Sequence, residues 1–156
     1  MTAPNTSPAE LLMIEDSDDD YAAFIRTCKA INFSGHVRRF LDGEEALAHL
    51  RTLSAQSDFA ARLPALIVLD LNLPGMDGRE ILGALKADAK LRTIPVVVYT
   101  TSSSPNDIAF CYEQHANAYQ LKAMDVDRLE ADLRALTDYW FARVMPHGVS
   151  DRLSRP

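Results

Sequence analysis

Short apolar runs alternate along this chain with longer segments whose apolar residues recur at helical spacing. Residues 11–14, Leu66–Leu69 and Val96–Thr100 are runs of strand length, and His36–Phe40 and Ala118–Leu121 are weaker runs of similar size. Continuous apolar runs of about four to eight residues, bounded by turn signals, predict strands buried on both faces, as in parallel sheets. His36–Phe40 carries Arg38 and Arg39 within it, which predicts an edge strand with both arginines solvated.

The intervening segments predict helices. Phe24, Ile25, Cys28 and Ile31 share one side of a helix over residues 19–32. Asp42 reads as the N-cap of a helix to residue 53, with Ala46, Leu47 and Leu50 facing inward. Residues 54–64 lack a period and read as a connector. Asp77 caps a helix over 78–88 with Ile81, Leu82 and Leu85 on its apolar face, and Pro105 suits the first turn of a short helix to residue 115. Asp125 caps the last helix. Its apolar stripe is Val126, Leu129, Leu133, Leu136, Trp140 and Val144, and Pro146 ends it. The order is βα repeated five times, which predicts an α/β fold: a parallel sheet with helices on both faces, joined by right-handed crossovers. Residues 1–8 read as a disordered lead, 9–145 as one domain and 146–156 as a polar tail.

Composition narrows the class. At 156 residues the chain suits one domain with a core that needs no metal or disulfide staple. A formal charge of −6 excludes a broad basic face for nucleic acid. No apolar run approaches the ~18–20 residues that cross a bilayer, and the first residues lack the order of a secretory signal. Cys28 and Cys111 lack CxxC spacing and fall in helical patterns, so both read as buried thiols in a reducing, cytoplasmic compartment. His36, His49, His115 and His147 are scattered without metal-ligand spacing and read as surface or loop residues.

The chemistry gathers where strands end. Glu15 and Asp16 follow the first strand, Asp70 the third, Thr100 closes the fourth and Lys122 follows the fifth. In a parallel sheet these ends share one edge, where open α/β sheets place their sites. Alone, each has a plain explanation; acids such as Asp18, Asp19 and Asp20 suit a helix N-terminus. Together they put three carboxylates, a hydroxyl and an ammonium on one rim. Crowded carboxylates cost on the order of a few kcal/mol per close pair, relieved by a proton held at raised pKa or by a bound cation. An oxygen-rich set of this kind suits Mg²⁺, and an aspartate beside it can act as a nucleophile toward phosphorus.

Ile14-Glu15-Asp16, the run from Leu69 to Gly78 (LDLNLPGMDG), Tyr99-Thr100 and Tyr119-Gln120-Leu121-Lys122 together resemble the receiver domain of two-component response regulators, over roughly residues 10–145. The resemblance implies a flavodoxin-like doubly wound sheet with strand order 2-1-3-4-5. It implies that Asp70 accepts a phosphoryl group from the phosphohistidine of a sensor histidine kinase. Asp16, Asp70 and the backbone carbonyl of Asn72 would hold Mg²⁺, with Glu15 in the outer acidic pocket. Lys122 would pair with the phosphoryl oxygens, Thr100 would be the switch hydroxyl and Tyr119 the switch aromatic. Such a protein catalyses only its own phosphoryl transfer and dephosphorylation.

Two departures from the family pattern bear on this. Lys122 is followed by Ala123 where the family usually has proline, which predicts a trans bond and a differently shaped loop. Thr101 is bulkier than the small residue usual beside the switch threonine. The Tyr-Thr-Thr-Ser run, the missing proline and the aromatic ending Tyr139-Trp140-Phe141 resemble single-domain regulators paired with bacteriophytochrome kinases. Since two adjacent bulky aromatics are not expected to face one core, Tyr139, Trp140 and Phe141 are the expected face of a homodimer. Asn72 and Ser102 are expected to flank the path of a water attacking the acyl phosphate. Two other readings compete: a phosphatase with Asp70 as nucleophile, which would want an acid where Asn72 stands, and a receiver-like binding module without phosphotransfer. A nucleotide-binding fold of similar architecture lacks its glycine-rich phosphate loop here.

Overall fold

A computed structural model describes residues 9–144. The expected lead 1–8, the tail 146–156 and the helix stop at Pro146 lie outside the described residues. Five strands, β1 (Glu10–Ile14), β2 (His36–Phe40), β3 (Leu66–Leu69), β4 (Val96–Thr100) and β5 (Ala118–Leu121), form one sheet in the order β2-β1-β3-β4-β5. Every neighbouring pair is parallel. The register sets Ile14 beside both Phe40 and Leu69, and Leu69 beside Val98, so the carboxyl ends of the central strands lie level.

Side-chain alternation divides the core. Leu12, Ile14, Ile67, Leu69, Val96 and Val98 point to one face, where α2 (Gly43–Ser54), α4 (Gly78–Ala87) and α5 (Pro105–Glu113) cover them. Leu11, Met13, Leu66, Val68, Val97 and Tyr99 point to the other, under α1 (Asp18–Ala30) and α6 (Val126–Thr137). Because both faces are covered, the central strands carry near-continuous apolar runs rather than alternating with polar residues. The predicted caps form: Asp42 accepts from the N–H groups of Glu44 and Glu45, Asp77 from Arg79, and Asp125 from Asp127 and Arg128. Each is worth about 1 kcal/mol.

The structure departs from expectation at five places. The 54–64 connector contains a one-turn helix, α3 (Phe59–Arg62). Val126 is 74% exposed, so the buried stripe starts at Leu129. His49 is half-buried on α2 against the Phe40 ring, and its Nε2 has no hydrogen-bond partner among the described residues. Burial, then the nearby Arg38 charge, holds its pKa below the usual value. Arg39 is not solvated, as shown below. Finally, the chain beyond α6 continues as a π-helix, Asp138–Arg143, with the Val144 N–H donating to the Tyr139 carbonyl at 3.0 Å. Its altered winding lets Trp140 and Phe141 both pack on the α1/α6 side of the core, and Phe141 meets Phe33 edge-on at 4.9 Å. The two adjacent aromatics therefore share one core, and the expectation that they could not is corrected. Tyr139 remains 56% exposed.

Candidate functional site

Main-chain bonds of the sheet continue one residue past the strands, and this fixes the site. The Glu15 N–H donates to the Phe40 carbonyl at 3.0 Å, the Asp70 N–H to Ile14 at 3.1 Å and the Lys122 N–H to Thr100 at 2.8 Å. Glu15, Asp70 and Lys122 are thus held by the frame itself. Behind Asp70 the chain turns through Gly75, whose φ of +68° lies in the left-handed region that glycine adopts without strain. It then re-enters at Gly78, whose N–H donates to the Leu71 carbonyl at 3.0 Å. A Cβ there would overlap the Asp70 carbonyl and the Leu71 backbone, so α4 reaches this close to Asp70 only because the residue is glycine.

Carboxylate oxygens of Glu15, Asp16 and Asp70 lie within 4.8 Å of one another. Glu15 and Asp70 are buried and Asp16 is exposed, so the cluster opens to solvent on one side. Lys122 donates to Glu15 Oε1 at 2.5 Å, Asp20 Oδ2 at 2.7 Å and Asp70 Oδ2 at 3.0 Å. An ammonium has three N–H donors, and all three are committed. Its Nζ also lies 5.8 Å from the centre of the Tyr99 ring.

The charge balance differs at the two ends of these contacts. Burial pushes the Glu15 carboxyl up to about 7; the Lys122 bond opposes this and Asp70 adds to it. For Lys122, burial disfavours the charge, but the bonds to Asp20, Glu15 and Asp70 outweigh it and its pKa is raised. One ammonium shared among three carboxylates does not return to Glu15 what burial takes. The cluster thus shows both forms of relief available to crowded acids, a proton held near neutrality and a cation. Three hard oxygen donors with an open side, and no sulfur or imidazole among them, also fit a hard divalent ion.

Around this cluster lie the remaining expected residues. The Asn72 N–H donates to Asp70 Oδ1 at 3.3 Å, which sets the Asn72 backbone beside Asp70. Thr100 is fully buried and its Oγ1 accepts from the Ser102 N–H at 3.4 Å. Tyr119 packs on the α2/α4/α5 side of the core and its hydroxyl donates to the Ser102 carbonyl at 2.8 Å. Ser102 therefore joins Thr100 to Tyr119. Its hydroxyl donates to Asp107 Oδ2 at 2.6 Å, and Arg79 clamps Asp107 at 2.7 Å and Asp77 at 3.1 Å. The Ser102 hydroxyl and the Arg79 guanidinium hold Asp107 below the usual carboxylate range. Among the described residues no peptide bond is cis, so the bond between Lys122 and Ala123 is trans. Tyr139, Trp140 and Phe141 lie in the π-helix beyond α6 and take no part in these contacts.

Two contributors escaped sequence reasoning. Asp20 looked like an acid placed for the helix dipole, and its bond to Lys122 spans 102 positions. Arg39 looked like a strand-edge charge. It is 16% exposed, and it donates to the carbonyls of Glu15 at 2.9 Å and Asp16 at 3.2 Å.

Comparison with known proteins agrees with this geometry. Residues 11–134 match the model of the response regulator receiver domain. The chain is 34% identical over 133 residues to a probable methanogenesis regulatory protein, FilR2, of Methanothrix harundinacea, covering 85% of this chain and 84% of that protein. It is 33% identical over 144 residues to the response regulator Rcp1 of Synechocystis, covering 92% and 97%. The crystal structure of the phosphorylated cyanobacterial phytochrome response regulator RcpA superimposes with a TM-score of 0.78 at 32% identity, covering 89% of this chain and 98% of that one. The Mn²⁺-bound form of Rcp1 does so with a TM-score of 0.77 at 34% identity, covering 89% and 99%. By its match, its strand order and its clustered strand-end acids, this chain belongs to the response regulator receiver domain family.

Proposed function

We propose that Asp70 is the phosphoacceptor of this receiver domain and that a sensor histidine kinase supplies the phosphoryl group. The observation that carries this reading is the convergence of Glu15, Asp16 and Asp70 within 4.8 Å, with Lys122 bonded to two of them. Asp70 Oδ attacks phosphorus in line with the bond to the leaving imidazole of a phosphohistidine, and an acyl phosphate forms as that P–N bond breaks. Asp16, Asp70 and the Asn72 carbonyl, with Glu15 behind them, would hold Mg²⁺, which when bound would supply charge neutralisation for the phosphoryl oxygens. Lys122 releases part of its hold on Asp70 and donates to a phosphoryl oxygen. Thr100 donates to another, which pulls on Ser102 and so on Tyr119, to whose hydroxyl the Ser102 carbonyl is bonded. Phosphorylation thereby biases a two-state arrangement that a protein partner reads.

Similarity to Rcp1 and RcpA supports a kinase of the bacteriophytochrome class. The exposed Tyr139, with Trp140 beside it at 5.1 Å, is the proposed contact of a homodimer. Two free, buried cysteines fit a cytoplasmic setting; among the described residues no helix is long and apolar enough to cross a membrane.

Labelling by acetyl phosphate with Mg²⁺, followed by intact-mass analysis, tests the reading. The wild type gains one phosphoryl group and Asp70→Asn gains none; full labelling of the variant overturns the assignment. Sizing the wild type with and without beryllofluoride and Mg²⁺ then tests whether the phosphorylated form is the dimer.

A further inference from the structure

We infer that Arg39, on β2, is a positioning residue for the divalent-metal site, acting through the backbone of the turn between β1 and α1. The inference rests on the metal-site reading above. Glu15 is anchored to the sheet by its own N–H, but Asp16 follows it into an open turn and its side chain is exposed. Something must hold that turn so that Asp16 meets Glu15 and Asp70. Arg39 sits on the strand beside it, in register with Met13 of β1, and its side chain reaches over the turn.

Each part of the guanidinium is used. Nε donates to the Glu15 carbonyl at 2.9 Å, Nη2 to the Asp16 carbonyl at 3.2 Å and Nη1 pairs with Asp18 Oδ1 at 2.8 Å. The Tyr21 ring covers the group at 4.5 Å from its centroid. The planar fork thus ties together the main chain that carries both early acids and the first turn of α1. Lysine offers a point charge with no fork, so it cannot hold both carbonyls and Asp18 in this geometry. The contacts to Glu15 and Asp16 are to carbonyls, so the Arg39 guanidinium engages neither of their carboxylates.

Charge and position make opposite predictions, which makes the inference testable. As a nearby cation, Arg39 repels a divalent ion, and on charge alone its removal tightens metal binding. As the clamp of the turn, its removal disorders Asp16 and weakens binding. Outer partners that orient metal ligands are worth about 10–100-fold in affinity.

Mn²⁺ affinity of the full chain is measured by electron paramagnetic resonance of the free ion for wild type, Arg39→Lys and Arg39→Ala. Urea midpoints of all three confirm that each is folded under the binding conditions. The expected result is a loss of about 10-fold or more in both variants, with the charge-conserving Lys failing to restore affinity. Wild-type affinity in Arg39→Lys, or tighter binding in Arg39→Ala, overturns the inference. Absence of Mn²⁺ binding by the wild type would instead overturn the metal-site reading itself.

Discussion

Replacing Glu15 with glutamine should make the protein more stable at alkaline pH, although it deletes a carboxylate bonded to Lys122. Glu15 is 1% exposed, and burial raises its pKa from the ordinary 4.5 to about 7. Well below pH 4.5 the group is protonated in both folded and unfolded chains. As pH rises, the unfolded chain releases its proton first, while the folded state keeps its own up to about 7. The stability attached to the neutral form therefore fades across this window, by up to ~1.4 kcal/mol per pH unit, and is gone above it. Over the whole window the loss is about 3 kcal/mol, an upper figure because a neighbouring ammonium can readjust. Glutamine is neutral throughout, its Oε1 still accepts from Lys122, and Lys122 keeps Asp20 and Asp70. In metal-free urea unfolding, the advantage of Glu15→Gln over wild type should widen by ~2 kcal/mol between pH 5 and pH 8. Saturating Mg²⁺ should narrow it at pH 8, because an ionised Glu15 then faces a cation. An advantage that does not grow with pH, or a wild type more stable than the variant at pH 8, would refute the reasoning.

Three further substitutions probe the frame. Gly78→Ala gains ~1 kcal/mol of helix propensity but drives a methyl into the Asp70 carbonyl and the Leu71 backbone. The clash should win, with a net loss of ~1–2 kcal/mol in urea melts, and a stabilised variant would show that α4 can move away. Phe141→Ala should cost about 1–2 kcal/mol through lost burial and its edge contact with Phe33, whereas Tyr139→Ala should stay within about 0.5 kcal/mol in dilute monomer. The reverse ranking in thermal melts would mean that Tyr139, not Phe141, is the packing residue.

Much of this protein was legible from residue order. Continuous apolar runs marked the strands buried on both faces, and the βα alternation forced them parallel. That topology alone sends Glu15, Asp16, Asp70, Thr100 and Lys122 to one edge, because every strand of a parallel sheet points the same way. What the topology leaves open is how long side chains are aimed once they arrive there. Asp20 crosses to Lys122, Arg39 leaves its strand edge to hold the turn beneath Asp16, and Ser102 turns its hydroxyl to Asp107. The π-helix similarly overrides the spacing from which Trp140 and Phe141 were expected to diverge. Hydrophobic periodicity reports which side of a backbone faces the core, since burial acts on every apolar residue alike. The partner of a charged side chain is set by distances between segments far apart in sequence, and only the folded chain contains those distances.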